Sequence, residues 1–160
     1  DGNTIRAVKR PVREIDYGFA GDVEEVNAGA IDKLLQADFV PVFCAITHNK
    51  EGQLLNTNAD TIASSVAVAL SQHEQVKLIY SFEKPGVLAD PDNDDSVIPM
   101  ITSASYLELT QQGIVSGGMI PKLDNAFDAL HAGVQEVIIC QATAVANLNT
   151  ECFVGTRITL

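Results

Sequence analysis

A chain of 160 residues, 46% hydrophobic and 19% charged, has the composition of a globular protein with a buried core and is neither disordered nor fibrous. Its 10 Lys and Arg against 21 Asp and Glu leave a net charge of −11, which repels a phosphate backbone and an anionic bilayer alike, so nucleic acid and membrane are excluded as partners. No apolar run approaches the roughly 18 residues of a spanning helix. In chain order, residues 4–8 alternate polar and apolar and, with residues 12–15 beyond the basic Lys9-Arg10-Pro11, predict a short hairpin at a sheet edge. Gly18-Phe19-Ala20-Gly21-Asp22-Val23-Glu24 then reads as a glycine-containing loop before a helix. From Val26 the apolar positions Val26, Ala30, Leu34 and Leu35 recur at helical spacing, and this helix feeds residues 39–46, whose apolar run predicts a buried strand. Ala59, Ile62, Ala63, Val66, Ala69 and Leu70 form the stripe of a second helix, with Asn58 placed to cap it.

Residues 76–81 predict another buried strand, followed by a polar surface loop over 83–95 that contains Lys84-Pro85-Gly86. Long loops at strand ends often carry function. Helical segments over 103–112 and 121–132 bracket a turn at 113–118, and residues 136–140 and 156–160 supply the last strands. The alternation of helix and apolar strand predicts a single α/β domain over residues 1–160, a three-layer αβα sandwich around a mainly parallel sheet. Cys44, Cys140 and Cys152 are odd in number, widely spaced and in apolar company, as expected of reduced, buried thiols in a cytoplasmic protein.

Two constellations bear chemistry. In Gly117-Gly118-Met119-Ile120-Pro121-Lys122 the proline suits the first position of a helix, which puts Lys122 in its first turn, facing the positive end of the helix dipole. An anion between them, such as a phosphate held by glycine amides, would relieve that placement; a solvated lysine after an ordinary Gly-Gly turn has the same local pattern. In Asn56-Thr57-Asn58-Ala59-Asp60, Asn58 and Asp60 suit a helix start, whereas Asn56 exceeds what capping needs and is available for a substrate carboxylate or amide. No metal site is predicted. Asp90-Pro91-Asp92-Asn93-Asp94-Asp95 begins like a calcium loop, but Asp95 and Ile101 occupy the glycine and glutamate positions, and His48, His73 and His131 lack ligand spacing.

Together these segments resemble the acetylglutamate kinases of the amino acid kinase family. Gly18-Phe19-Ala20-Gly21-Asp22-Val23 before Val26-Asn27, and Phe39-Val40-Pro41-Val42, are similar to the family's glycine-valine segment and its following strand. Glu51-Gly52-Gln53 leading to Asn56-Thr57-Asn58-Ala59-Asp60 resembles the "EGQ…N-x-NAD" motif, the most specific of the set. Pro85-Gly86-Val87-Leu88 resembles "PGVL", Gly113 to Lys122 resembles "GxIxGGMIPK", and Gly155-Thr156-Arg157-Ile158 resembles the closing "GTxI".

The resemblance implies transfer of the ATP γ-phosphoryl group, with magnesium, to the side-chain carboxylate of N-acetyl-L-glutamate or another N-acylglutamate, on the arginine route. It makes Lys122 and Asp60 catalytic, the lysine stabilising the transition state and the carboxylate orienting lysines, and gives Asn56 the amino acid substrate. It assigns the nucleotide to Glu83, Lys84, Pro85, Gly86, Val87 and Leu88 and to Ile114, Val115 and Ser116, and implies a homodimer. Phe82-Glu83 departs from the family's usual Thr/Ser-Asp. The match covers the last three-fifths of such an enzyme, so the chain is expected to be a fragment, without the family's glycine-rich phosphate loop, its lysine, substrate-binding arginine and lid. The alternatives are another amino acid kinase, of glutamate 5-kinase, aspartokinase or carbamate kinase type, or a non-catalytic regulatory protein on the same fold.

Overall fold

The computed structural model describes residues 4–160. The chain divides into two compact units, Asp1–His73 and Glu74–Leu160. The α/β fold class expected from the sequence is present, and each unit has a sheet of its own.

The first unit runs β1 (Ile5–Lys9), β2 (Ala20–Val26), α1 (Ala28–Gln36), β3 (Ile46–His48), β4 (Leu54–Thr57) and α2 (Ala59–Ser71). The strands hydrogen-bond in a closed cycle, β1-β2-β4-β3. The expected partner of β1, residues 12–15, is not a strand; β2 takes its place in antiparallel register, Ile5 opposite Val26 and Lys9 opposite Gly21. Cross-strand ion pairs support this pairing: Arg6 reaches Glu24 at 2.8 Å and also pairs with Glu25, and Arg10 reaches Asp22 at 2.6 Å. The segment read as a loop is therefore largely strand, and α1 starts two residues later than Val26, capped by Asn27 on the Ala30 amide.

Gly21 is required where β2 meets β4, since a Cβ there would lie 2.7 Å from Leu55 Cβ and 2.8 Å from Thr57 Oγ1. Beneath it the buried Thr47 and Thr57 hydroxyls satisfy each other at 2.7 Å, among Ile5, Ala7, Leu55 and Ile62. The expected buried strand over residues 39–46 is a second correction. Residues 39–44 are irregular, with Val40 86% and Val42 90% exposed, and only Ile46–His48 joins the sheet. Apolar residues alone do not make a strand: it needs an unpaired edge, and here β1 and β4 are each already paired on both sides, with β2 and with β3. Cys44 at the end of this run is exposed, as is Cys152, so of the three thiols only Cys140 is buried as expected.

The second unit contains β5 (Lys77–Ser81), β6 (Met100–Thr102), α3 (Ser103–Gln111), α4 (Met119–His131), β7 (Glu136–Cys140), a 3-10 turn (Ala142–Asn147) and β8 (Thr156–Thr159). Its sheet order is β5-β7-β8-β6, parallel at both outer pairs and antiparallel between β7 and β8. The amphipathic α4 lays Leu123, Ala126, Phe127 and Leu130 into a core shared with Ile101, the wholly buried run Val137, Ile138 and Ile139, and Ile158. Tyr106 of α3 packs on Phe127, ring centroids 5.1 Å apart, and donates to Asp124 at 2.7 Å; burial and that carboxylate push its phenol up to about 12.

Two contacts in this unit make measurable claims. Thr156 Oγ1, in a fully buried residue, accepts from the Val87 amide and donates to the Ile98 carbonyl, both at 2.8 Å. Thr156→Val leaves both groups unmatched and is expected to destabilise the unit by about 1–3 kcal/mol; an unshifted urea midpoint would contradict this. Across the sheet edge Glu136 accepts from Arg157 at 2.5 Å and pairs with Lys77 at 3.2 Å. Burial pushes the Glu136 carboxyl up, but these two cations outweigh it and leave it below the ordinary 4.5. Its contribution to stability is therefore complete above pH 4.5 and lost as pH falls through the lower value it has in the fold. Glu136→Gln is expected to flatten that acid limb of the stability curve; identical limbs in wild type and variant would refute the pairing.

Candidate active site

Backbone chemistry at the end of β5 sets up the site in the second unit. The Phe82 amide continues the ladder by donating to the Cys140 carbonyl at 2.9 Å, and the chain then leaves the sheet as a closed loop over residues 83–98. Its limbs are zipped by the Ile98 amide on the Val87 carbonyl (2.8 Å), the Ala89 amide on the Ser96 carbonyl (2.9 Å) and the Leu88 to Val97 bridge. Thr156 holds both limbs to β8, and Gly86 permits the approach, because a Cβ there would lie 2.7 Å from Thr156 Oγ1. The acidic tip is occupied with itself: Asp90, Asn93 and Ser96 exchange turn hydrogen bonds, and Asp94 pairs with Lys84 at 2.8 Å, raising the Lys84 ammonium above its ordinary value.

A cavity of about 190 Å³ lies between this loop and the turn that joins α3 to α4. Phe82, Lys84, Gly86, Val87, Leu88 and Pro91 line it from the loop, and Ile114, Ser116 and Met119 from the turn. Six of the nine nucleotide residues expected from the sequence thus meet at one place. Glu83, Pro85 and Val115 do not line it: Glu83 is exposed and its carbonyl takes the Gln141 amide at 2.7 Å, Pro85 is half-buried, and Val115 is core. Phe82, Pro91 and Met119 are additions. Periodicity does not separate them from their neighbours; they are lining residues because of how the loop closes.

Helix α4 begins at Met119 with Gly118 in the N-cap position, so Pro121 is its third residue, two places further in than expected. The shift is tolerated because first-turn amides have no intrahelical acceptor for a proline to forfeit. Lys122 remains in the first turn, half-buried, with Nζ 5.1 Å from the ring centroid of Tyr80 and 5.6 Å from that of Phe82. Phe82 connects the two features, since it both lines the cavity and touches the ammonium.

In the first unit, Asn56 and Asp60 flank the junction of β4 and α2. Asn56 is exposed on a strand paired on both sides, opposite Ala20 and Ile46. Asn58 is the cap, accepting from the Thr61 amide at 3.0 Å, so capping does not account for Asn56. Asp60 is half-buried in the first turn of α2. Among the described residues no group of three or more His, Cys, Asp or Glu is placed to hold a metal ion, and no helix is long and apolar enough to cross a membrane.

The model of the amino acid kinase family matches residues 2–141. The acetylglutamate kinase of Phocaeicola vulgatus is 54% identical over 145 residues, 91% of this chain and 56% of the relative. That of Bacteroides thetaiotaomicron is 52% identical over 158 residues, 99% of this chain and 60% of the relative. The chain therefore spans little more than half the length of these curated relatives. Among solved structures, smu.665 of Streptococcus mutans is 34% identical at a TM-score of 0.74, covering 98% of this chain and 56% of the other. N-acetylglutamate synthase of Neisseria gonorrhoeae, complexed with coenzyme A and L-arginine, reaches a TM-score of 0.85 at 24% identity over 99% of this chain and 37% of its own, a likeness of fold alone. With a family model over most of its residues and relatives about half identical along nearly its whole length, the chain belongs to the amino acid kinase family.

Proposed function

We propose that the chain carries the nucleotide-binding and phosphoryl-transfer part of an acylglutamate kinase, acting on N-acetyl-L-glutamate or another N-acylglutamate in arginine biosynthesis. A side-chain carboxylate oxygen attacks the γ-phosphorus of ATP, the bond from that phosphorus to the β,γ-bridging oxygen breaks, and ADP leaves with that oxygen. The acceptor, with a pKa near 4.3, is already ionised at neutral pH, so no strong general base is needed. What the reaction needs is alignment and cancellation of charge where two anions meet.

The observation that carries this reading is the cavity built from two segments some thirty residues apart, with Lys122 seated against one of its walls. In this reading the cavity takes the nucleotide, the neighbouring Glu83, Pro85 and Val115 shape it, and Lys122 offers its ammonium to the transferring phosphoryl group. Asn56 binds the amino acid substrate and Asp60 orients catalytic lysines. Magnesium is expected to be carried by the nucleotide's phosphates. The names and identities of the acetylglutamate kinase relatives favour this acceptor over those of other amino acid kinases. A cytoplasmic homodimer is the proposed working form.

ADP release in a coupled assay with acetylglutamate, succinylglutamate, glutamate and aspartate tests both halves. An acylglutamate is expected to be the preferred acceptor, and Lys122→Ala to lower kcat about 10²–10³-fold with the fold unchanged by circular dichroism. Preference for free glutamate or aspartate, or full turnover in Lys122→Ala, would overturn the reading.

A further inference from the structure

Gln141 is the first residue beyond β7 and occupies the N-cap position of the 3-10 turn, yet its side chain makes no cap hydrogen bond there. It reaches instead to the 83–98 loop, where Nε2 donates to the Glu83 carbonyl at 2.7 Å. A backbone carbonyl can only accept, so the carboxamide must present its nitrogen and not its oxygen. The residue that makes this bond is itself half-buried and anchored, since its own carbonyl takes the Ala144 amide at 2.9 Å.

This contact fixes one end of a limb that walls the cavity. The Phe82 amide is tied to Cys140 at 2.9 Å, and further along the Val87 amide donates to Thr156 at 2.8 Å. Between Glu83 and Val87 lie Lys84, Pro85 and Gly86, of which Lys84 and Gly86 line the cavity. Pro85 restricts its own backbone, but glycine has more conformational freedom to lose than any other residue type. A limb held at both 83 and 87 keeps its shape without a ligand, so a ligand that enters does not have to order it.

We propose that Gln141 is a positioning residue for the nucleotide: by clamping the Glu83 carbonyl it presets the 83–87 limb in the shape that accepts the ligand. This rests on the reading of the cavity as a nucleotide site. Glu83 takes part through its backbone carbonyl, which is the group that the clamp holds.

Gln141→Met keeps the length of the side chain and removes the donor. Isothermal titration with magnesium and a non-hydrolysable ATP analogue is expected to give a dissociation constant about 2–10-fold higher for the variant. Hydrogen exchange in the ligand-free variant is expected to be faster at the Lys84 and Gly86 amides. A bond of purely structural value would lower the urea midpoint and leave the dissociation constant alone, so equal constants overturn the positioning role. In the wild type, the Gln141 carboxamide protons are expected by NMR to exchange with water more slowly than those of the exposed Gln36, both with and without the analogue. Exchange as fast as that of Gln36 overturns the clamp without recourse to any variant. Failure of the analogue to bind the wild type overturns the nucleotide reading, and with it the positioning role, while the clamp itself stands.

Discussion

The hydroxyl of Thr156 sits where the two limbs of the 83–98 loop close on the first residue of β8, and it serves both, accepting from Val87 and donating to Ile98. A hydroxyl can do this because it is donor and acceptor at once, which neither valine nor a carboxylate at that position would be. The limbs come close enough only because residue 86 has no Cβ. The Gly86 and Thr156 positions are therefore one device read from two distant places in the chain. With the loop anchored at its base, its polar tip is closed by its own turns and the Lys84 to Asp94 pair, and its apolar inner edge is left to face Ile114, Ser116 and Met119.

Electrostatics add a local exception to a global rule. A chain with a net charge of −11 does not attract a polyanion as a whole. What matters at 5 Å is which groups surround the phosphate, since screening over about 8–10 Å at ordinary salt removes most of the far field of exposed carboxylates. Asp94 pairs with Lys84, which lines the cavity, and the Lys122 ammonium lies over the rings of Tyr80 and Phe82.

The sequence is most legible where periodicity and burial agree. The helix over Ala59–Ser71 with its Asn58 cap, and the strands Lys77–Ser81 and Glu136–Cys140, emerge within a residue or so of their expected limits because each presents an apolar face to one core. It misleads where partners decide. Residues 39–44 have the composition of a central strand, yet among the described residues of their unit no edge pairs with them. Residues 18–24 carry two glycines ahead of a helix, which argues for a loop, yet residues 20–26 form a strand whose acids pair with Arg6 and Arg10. In the site, the glycine-proline segments and Lys122 are visible as motifs. The aromatic pair around the ammonium is not, since an i, i+2 pair of rings on a strand reads as ordinary core until the lysine from another element is seen to reach it.

The account stands or falls on the cavity in the second unit being where a nucleotide binds. Hydrogen–deuterium exchange with and without a non-hydrolysable ATP analogue addresses that claim without depending on turnover or on the identity of the acceptor. Slowed exchange at the amides of residues 84–88 and 114–116 is the predicted result. Unchanged exchange at both segments at saturating analogue, or protection confined to residues 4–73, would contradict it.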